Sequence, residues 1–180
     1  MKTYTDSDYV SGEGMLTTVW GPSLWHYLHT MSFNYPNNPT QEDKKHYMDF
    51  IFQLEYVLPC KYCRINLKKN FKKVPLKMST MKNRYTFSKY IYDLHEHINT
   101  MLGKKSNLTY ESVRERYEHF RARCNIKEKQ NVTKEKGCTE SLYGKKSKCI
   151  IKIVPQTKKC NTFQMDDSCK KKRLKTAKII

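Results

Sequence analysis

Two cysteines three positions apart, Cys60 and Cys63, stand in the stretch Leu58-Pro59-Cys60-Lys61-Tyr62-Cys63-Arg64. A pair at this spacing can close to a disulfide and reopen, moving two electrons each time. If the stretch starts a helix, Pro59 falls in the first turn, where a missing N–H is no loss. Both sulfurs then lie near unpaired N–H groups and the positive end of the helix dipole, which favour thiolate over thiol. Lys61 and Arg64 add positive charge close by. In such settings a thiol pKa falls from about 8.5 to roughly 3.5–7.5. The local chemistry is redox chemistry, and the rest of the chain must supply the electron acceptor.

Two further pairs bear on that acceptor. Trp25 and His29 are four residues apart, as are His95 and Asn99, and Lys104 follows the second pair. At helical spacing each pair shares one face. Together they offer an indole to stack on a ring system, imidazoles and an amide for ring edges, and a cation for a phosphate. That set suits a flavin dinucleotide held inside a helix bundle. Taken singly, each position reads more readily as ordinary core.

Zinc is the first rival. A structural zinc site needs about four ligands in local pairs, and only Cys60 and Cys63 have that spacing. A thioredoxin-like reading needs a βαβ pattern around the cysteines, and the surroundings read as helix.

The positioning elements follow from apolar spacing and end signals. Residues 1–17 are polar and glycine-containing and read as a loose arm. Trp20-Gly21-Pro22-Ser23 reads as a helix start, with Leu24, Trp25, Leu28 and Met31 at helical spacing. Thr40 caps a second helix carrying Tyr47, Phe50, Ile51, Leu54 and Leu58, which stops before Pro59. The third carries the cysteines and runs through Ile65 and Leu67 to about Phe71. A basic connection, 72–84, precedes a fourth helix from about Thr86 to Leu102. Its apolar face is Phe87, Ile91, Leu94, Ile98 and Met101/Leu102, and Gly103 stops it. Thr109 caps a fifth, with Val113, Tyr117 and Phe120. No stretch before residue 125 alternates with period two, so the expectation is an all-α, bundle-type fold.

After Cys124 the helical pattern fails. Cys149-Ile150-Ile151-Lys152-Ile153-Val154 could form one small strand. Sixteen of the 35 Lys/Arg and five of the 17 Asp/Glu lie in 125–180, so this third carries +11 of the +18 net charge. It has only Tyr143 and Phe163 as aromatics, without the interleaving of a base-stacking surface. The run Lys170-Lys171-Lys172-Arg173 allows weak, non-specific contact with nucleic acid or an acidic partner. The organisation expected is an arm at 1–17, a domain at 18–124 and a basic extension at 125–180. Hydrophobic residues make up 38% of the chain, which fits a segment outside the core. No secretory signal and no stretch of about 20 apolar residues is visible. Seven cysteines in such a chain favour redox or metal chemistry over a disulfide scaffold. Cys138, Cys149, Cys160 and Cys169 are open to structural, shuttle or free roles. Cys124 reads as a free thiol or a partner of the tail.

Three segments, Trp25-His26-Tyr27-Leu28-His29-Thr30, Pro59-Cys60-Lys61-Tyr62-Cys63 and His95-Glu96-His97-Ile98-Asn99, resemble in order and spacing the signatures of the Erv/ALR FAD-linked sulfhydryl oxidases. The wording around the cysteines and Trp20-Gly21-Pro22 is most similar to members encoded by large DNA viruses. The resemblance covers roughly 18–124. It implies a four-helix bundle with a short fifth helix and a homodimer. It implies FAD contacted by Trp25, His29, His95, Asn99, Lys104 and, where the family has tryptophan, Tyr117. Cys63 would lie against the flavin, and Cys60 would exchange with thiol-containing protein substrates. The electrons would end on O2, giving hydrogen peroxide. No metal and no membrane is implied, and a viral source points to host cytoplasm or virion. Two features depart from the family pattern. Glu96 replaces the first Asn of its His-Asn-x-x-Asn motif, and Tyr92 and Tyr110 stand where many members have a disulfide. The alternative is a basic zinc- or nucleic-acid-binding protein without oxidase activity.

Overall fold

The computed structural model describes residues 3–124, 137–161 and 163–172. The chain divides into two compact units, Met1–Asn107 and Leu108–Ile180. The described secondary structure is helical, with no strand. The first unit holds the one-turn α1 (Asp6–Tyr9) and four long helices: α2 (Thr17–Asn34), α3 (Gln41–Val57), α4 (Lys61–Lys73) and α5 (Arg84–Met101). A 3-10 helix, Met78–Lys82, leads into α5.

Side-chain caps fix the starts of α3, α4 and α5. Thr40 Oγ1 accepts from Asp43 N (3.0 Å) and Asp43 Oδ2 accepts from Thr40 N (2.8 Å), a reciprocal pair that opens α3. Asn83 and Thr86 make the same exchange at α5, with Thr86 N donating to Asn83 Oδ1 at 3.0 Å. At the far end of α5, Gly103 takes a left-handed φ of +68°. There Lys104 N returns to Asn99 O at 2.8 Å, the αL turn that ends a helix.

α2 begins earlier than Trp20-Gly21-Pro22 suggests. Pro22 sits inside the helix, where it removes one backbone bond. The preceding turn is held instead by Val19 N on Leu16 O (2.9 Å) and by Trp20 Nε1 on Met15 O (3.0 Å). Pro59 does not enter α4: Cys60 is the N-cap and Lys61 the first helical residue. Residues 1–17 hold α1, and Met15 N donates to Pro59 O at 2.8 Å. The expected loose arm is therefore tied down at its end.

α2 packs on α5, α3 on α4, and α4 on α5. Leu28, Ile51, Leu54, Leu58, Leu67, Phe87, Ile91 and Leu94 meet in one apolar core. Tyr35, Tyr47 and Phe87 form an aromatic group within it, with ring centroids 4.8–5.8 Å apart. Tyr35 is fully buried and spends its hydroxyl on Met81 O at 2.9 Å. Not every expected core position is inside. Phe50 lies edge-on to Tyr27 at the surface, and Ile65, Met101 and Leu102 are exposed. Met101 is the last residue of α5 and Leu102 its C-cap.

The second unit contains α6 (Tyr110–Glu118), capped by Thr109 Oγ1 accepting from Ser112 N at 3.2 Å. Cys124 pairs with Cys138 in a disulfide. A lone bridge joins Ala122 to Ser141, flanked by Arg123 N on Glu140 O (2.8 Å) and Leu142 N on Arg121 O (2.7 Å). The expected strand at 149–154 is absent. Ile150, Ile151 and Ile153 are 75%, 70% and 70% exposed, and no neighbouring strand takes up their backbone groups. Arg173, which ends the basic run, lies outside the described residues. The Cys124–Cys138 bridge closes a loop with a sequence separation of 14, a constraint of about 3 kcal/mol in the chain-entropy picture. A Cys138→Ser variant should therefore lose hydrogen-exchange protection at the amides of Arg123 and Leu142. Unchanged protection at both would show that the bridge does not hold this unit together.

Candidate functional site

Cys60 occupies the N-cap of α4, and its sulfur accepts the backbone N–H of Cys63 at 3.2 Å. A sulfur in this position replaces the oxygen that usually caps a helix, and its negative form is favoured by the helix dipole. The hydrogen bond from the Cys63 side chain is the main influence holding the Cys60 thiol below its ordinary pKa. The backbone N–H groups of Cys63 and Tyr62 and the Thr17 hydroxyl act in the same direction. Cys63 moves the other way. Burial, then the hydrogen bond to Cys60, pushes its thiol up. The two sulfurs are therefore not equivalent, and the thiolate form is favoured at Cys60 over Cys63. Arg64 sends its guanidinium to the carbonyl of Leu58.

Thr17 and Gly14 were not singled out by sequence pattern. Thr17 Oγ1 lies 3.6 Å from Cys63 Sγ. A Cβ on Gly14 would come within 3.0 Å of Pro59 O and 3.5 Å of Cys60 Cα, so the chain passes close over the start of α4. Neither contact leaves a signal in residue spacing.

α2 and α5 bring three of the expected binding residues together. Trp25 stacks on His95, with ring centroids 4.0 Å apart and planes 6° off parallel. His29 Nε2 and His95 Nδ1 share a hydrogen bond at 3.0 Å. Burial holds His29 down to about 3, helped by the neighbouring His95 and His26, and His95 down to about 4. Both are neutral at pH 7. Glu96 pulls His95 the other way, and Lys104 opposes its protonation. Trp25, Cys63 and Ile98 flank the same apolar core.

Asn99, one turn on from His95, donates from Nδ2 to Glu96 Oε1 at 3.0 Å. Ser106 Oγ donates to Glu96 Oε2 at 2.7 Å. The residue that departs from the family motif thus orients the next one in it. Tyr117 belongs to the second unit, on α6, with its ring edge against Phe120 and its hydroxyl pushed up to about 12 by burial. A flat aromatic face with neutral hydrogen-bonding edges and a nearby cation suits a planar ring system joined to a phosphate.

The profile of the Erv1/Alr family matches residues 22–118. The chain belongs to the Erv1/Alr family. It is 41% identical over 91 residues to a probable FAD-linked sulfhydryl oxidase of Acanthamoeba polyphaga mimivirus, covering 51% of this chain and 63% of that protein. It is 30% identical over 90 residues to a putative FAD-linked sulfhydryl oxidase of Invertebrate iridescent virus 6, covering 48% and 81% respectively. In structure it is similar to the yeast Erv1 core, with a TM-score of 0.52 at 20% identity over 65% of this chain and 92% of that one. That likeness shows the helical Erv1 fold. Among the described residues, no group of three or more His, Cys, Asp or Glu could hold a metal ion, and no helix is long and apolar enough to cross a membrane.

The two imidazoles give the site a pH signature. In the unfolded chain they take up protons below about 6.5, whereas in the fold they resist until about 3 and 4. The unfolded state binds more protons in that window, so stability falls as pH drops through it. The slope is at most about 1.4 kcal/mol per pH unit for each neutral imidazole. The melting temperature should drop between pH 7 and pH 5, and His29→Asn should flatten the drop. An unchanged slope in that variant would mean His29 is not held neutral.

Proposed function

We propose that this chain is an FAD-linked thiol oxidase that forms disulfides in protein substrates and reduces O2 to hydrogen peroxide. The observation that carries the reading is the asymmetric Cys60–Cys63 pair at the start of α4, in a chain of the Erv1/Alr family. In the oxidised pair, a substrate thiolate attacks Cys60 Sγ. The Cys60–Cys63 bond breaks and Cys63 leaves as thiolate. A second substrate thiolate then attacks the substrate sulfur of the mixed disulfide, which releases Cys60 and an oxidised substrate.

The residues present fit FAD. The parallel Trp25–His95 rings form a face for a flat ring system. His29, His95 and Asn99 supply neutral hydrogen-bonding edges and Lys104 a cation, while a role for Tyr117 is carried over from the family resemblance alone. Bound FAD would supply a two-electron acceptor and a route to O2. The neutral imidazoles keep positive charge away from the ring edge, and Glu96 holds the Asn99 amide in one orientation.

The catalytic domain is assigned to 18–124, with 1–17 as its N-terminal arm and 125–180 as a basic extension. Assembly as a homodimer follows the family. The basic extension makes weak contacts with nucleic acid or acidic partners through its lysines. Host cytoplasm or virion is the proposed location, supported by relatives encoded by mimivirus, iridescent virus and African swine fever virus.

The purified chain, incubated with FAD and desalted, should show flavin absorption in the visible and consume oxygen with a small dithiol. Cys63→Ser should keep the flavin bands and lose oxygen uptake to background. A colourless protein, or full uptake by Cys63→Ser, would overturn the reading.

A further inference from the structure

The segment that enters α2 lies across the start of α4. Three independent contacts fix it there. Met15 N donates to Pro59 O at 2.8 Å. Gly14 passes so close that a Cβ would meet Pro59 O at 3.0 Å. Thr17 Oγ1 then reaches Cys63 Sγ at 3.6 Å, within hydrogen-bond range for sulfur. Thr17 is the first residue of α2, and Leu16 is the N-cap. Its hydroxyl is therefore not used to cap its own helix.

We propose that Thr17 is a positioning residue for the redox pair: its hydroxyl donates to Cys63 Sγ and stabilises the thiolate that leaves when Cys60 is attacked. The inference rests on the thiol-oxidase reading. A thiolate sulfur can only accept, so with Cys63 ionised the proton must come from Thr17. Which sulfur of a disulfide is attacked depends on how well the other one leaves. Burial works against Cys63 as a leaving group, and the neighbouring Cys60 works with burial. Thr17 opposes both. Cys60 is the titratable group acting on Cys63. The nearby Arg64 guanidinium is turned to Leu58 O. In attack at Cys60 the bond formed joins the substrate sulfur to Cys60, and the bond broken is Cys60–Cys63. Its electron pair stays on Cys63, where the hydroxyl meets it.

The test uses the full chain in a Cys60→Ser background, so that only one of the two thiols titrates. The rate of Cys63 alkylation by iodoacetamide is followed across pH, with the labelled peptide quantified by mass spectrometry. Thr17→Val, which keeps the shape and removes the hydroxyl, should raise the Cys63 pKa by about one unit, roughly a tenfold loss of thiolate at a pH below both values. Thr17→Ser should leave the pKa where it was. An unchanged pKa in Thr17→Val would overturn the proposal. So would equal rises in Val and Ser, since packing rather than the hydroxyl would then be responsible. Neither outcome touches flavin binding, so the oxidase reading stands or falls separately on its spectrum.

Discussion

The structure depends on one hydrogen bond, from the backbone N–H of Cys63 to the sulfur of Cys60. It makes a cysteine the cap of α4 and fixes which sulfur faces the free end of the helix. The Cys63 side chain, together with this backbone donor, separates the two thiols chemically. Cys60 gains hydrogen bonds that outweigh its burial, while Cys63 is pressed toward the core. Two identical side chains three residues apart thus acquire opposite tendencies, which a dithiol centre needs if substrate is to enter on one side and electrons leave on the other.

The bundle serves that asymmetry. α4 is held by its Phe71 against Phe52 of α3, with ring centroids 5.4 Å apart, and by its contact with α5. α5 carries Phe87, Ile91 and Leu94 inward and, further along, His95 and Asn99. Burial of the imidazoles has a cost, since they must stay neutral. Their mutual hydrogen bond and the Trp25 stack offset part of it. The carboxylate of Glu96 is tied to Asn99 and Ser106, which joins the end of α5 to the turn that follows Gly103.

Much of this was legible in residue order. The caps Thr40, Asn83 and Thr109 obey local rules, although Asn83 starts α5 before the expected Thr86. The core rows of α3 and α5 follow helical period, and the cysteine spacing announces its chemistry. The misses share a cause. Propensity puts Pro22 and Pro59 in first helical turns, whereas hydrogen bonds around them set the bounds: Met15 with Trp20 and Pro59 in one case, the Cys60 cap in the other. Thr17 and Gly14 could not be found by period, because their role comes from contacts across more than 40 residues of chain. The Ile150–Val154 run had strand composition, yet a strand needs a partner, and none of the described residues provides one. Phe50 falls on the expected stripe of α3 but sits at the surface, edge-on to Tyr27 of α2.

The claim that orders the rest is that substrate enters at Cys60. The most direct measurement is to treat the reduced chain with a limiting amount of a small activated disulfide and map the mixed disulfide by peptide mass spectrometry. Within the pair, the account predicts that the label sits on Cys60, with Cys63 free to displace it. A label found mainly on Cys63 would contradict it.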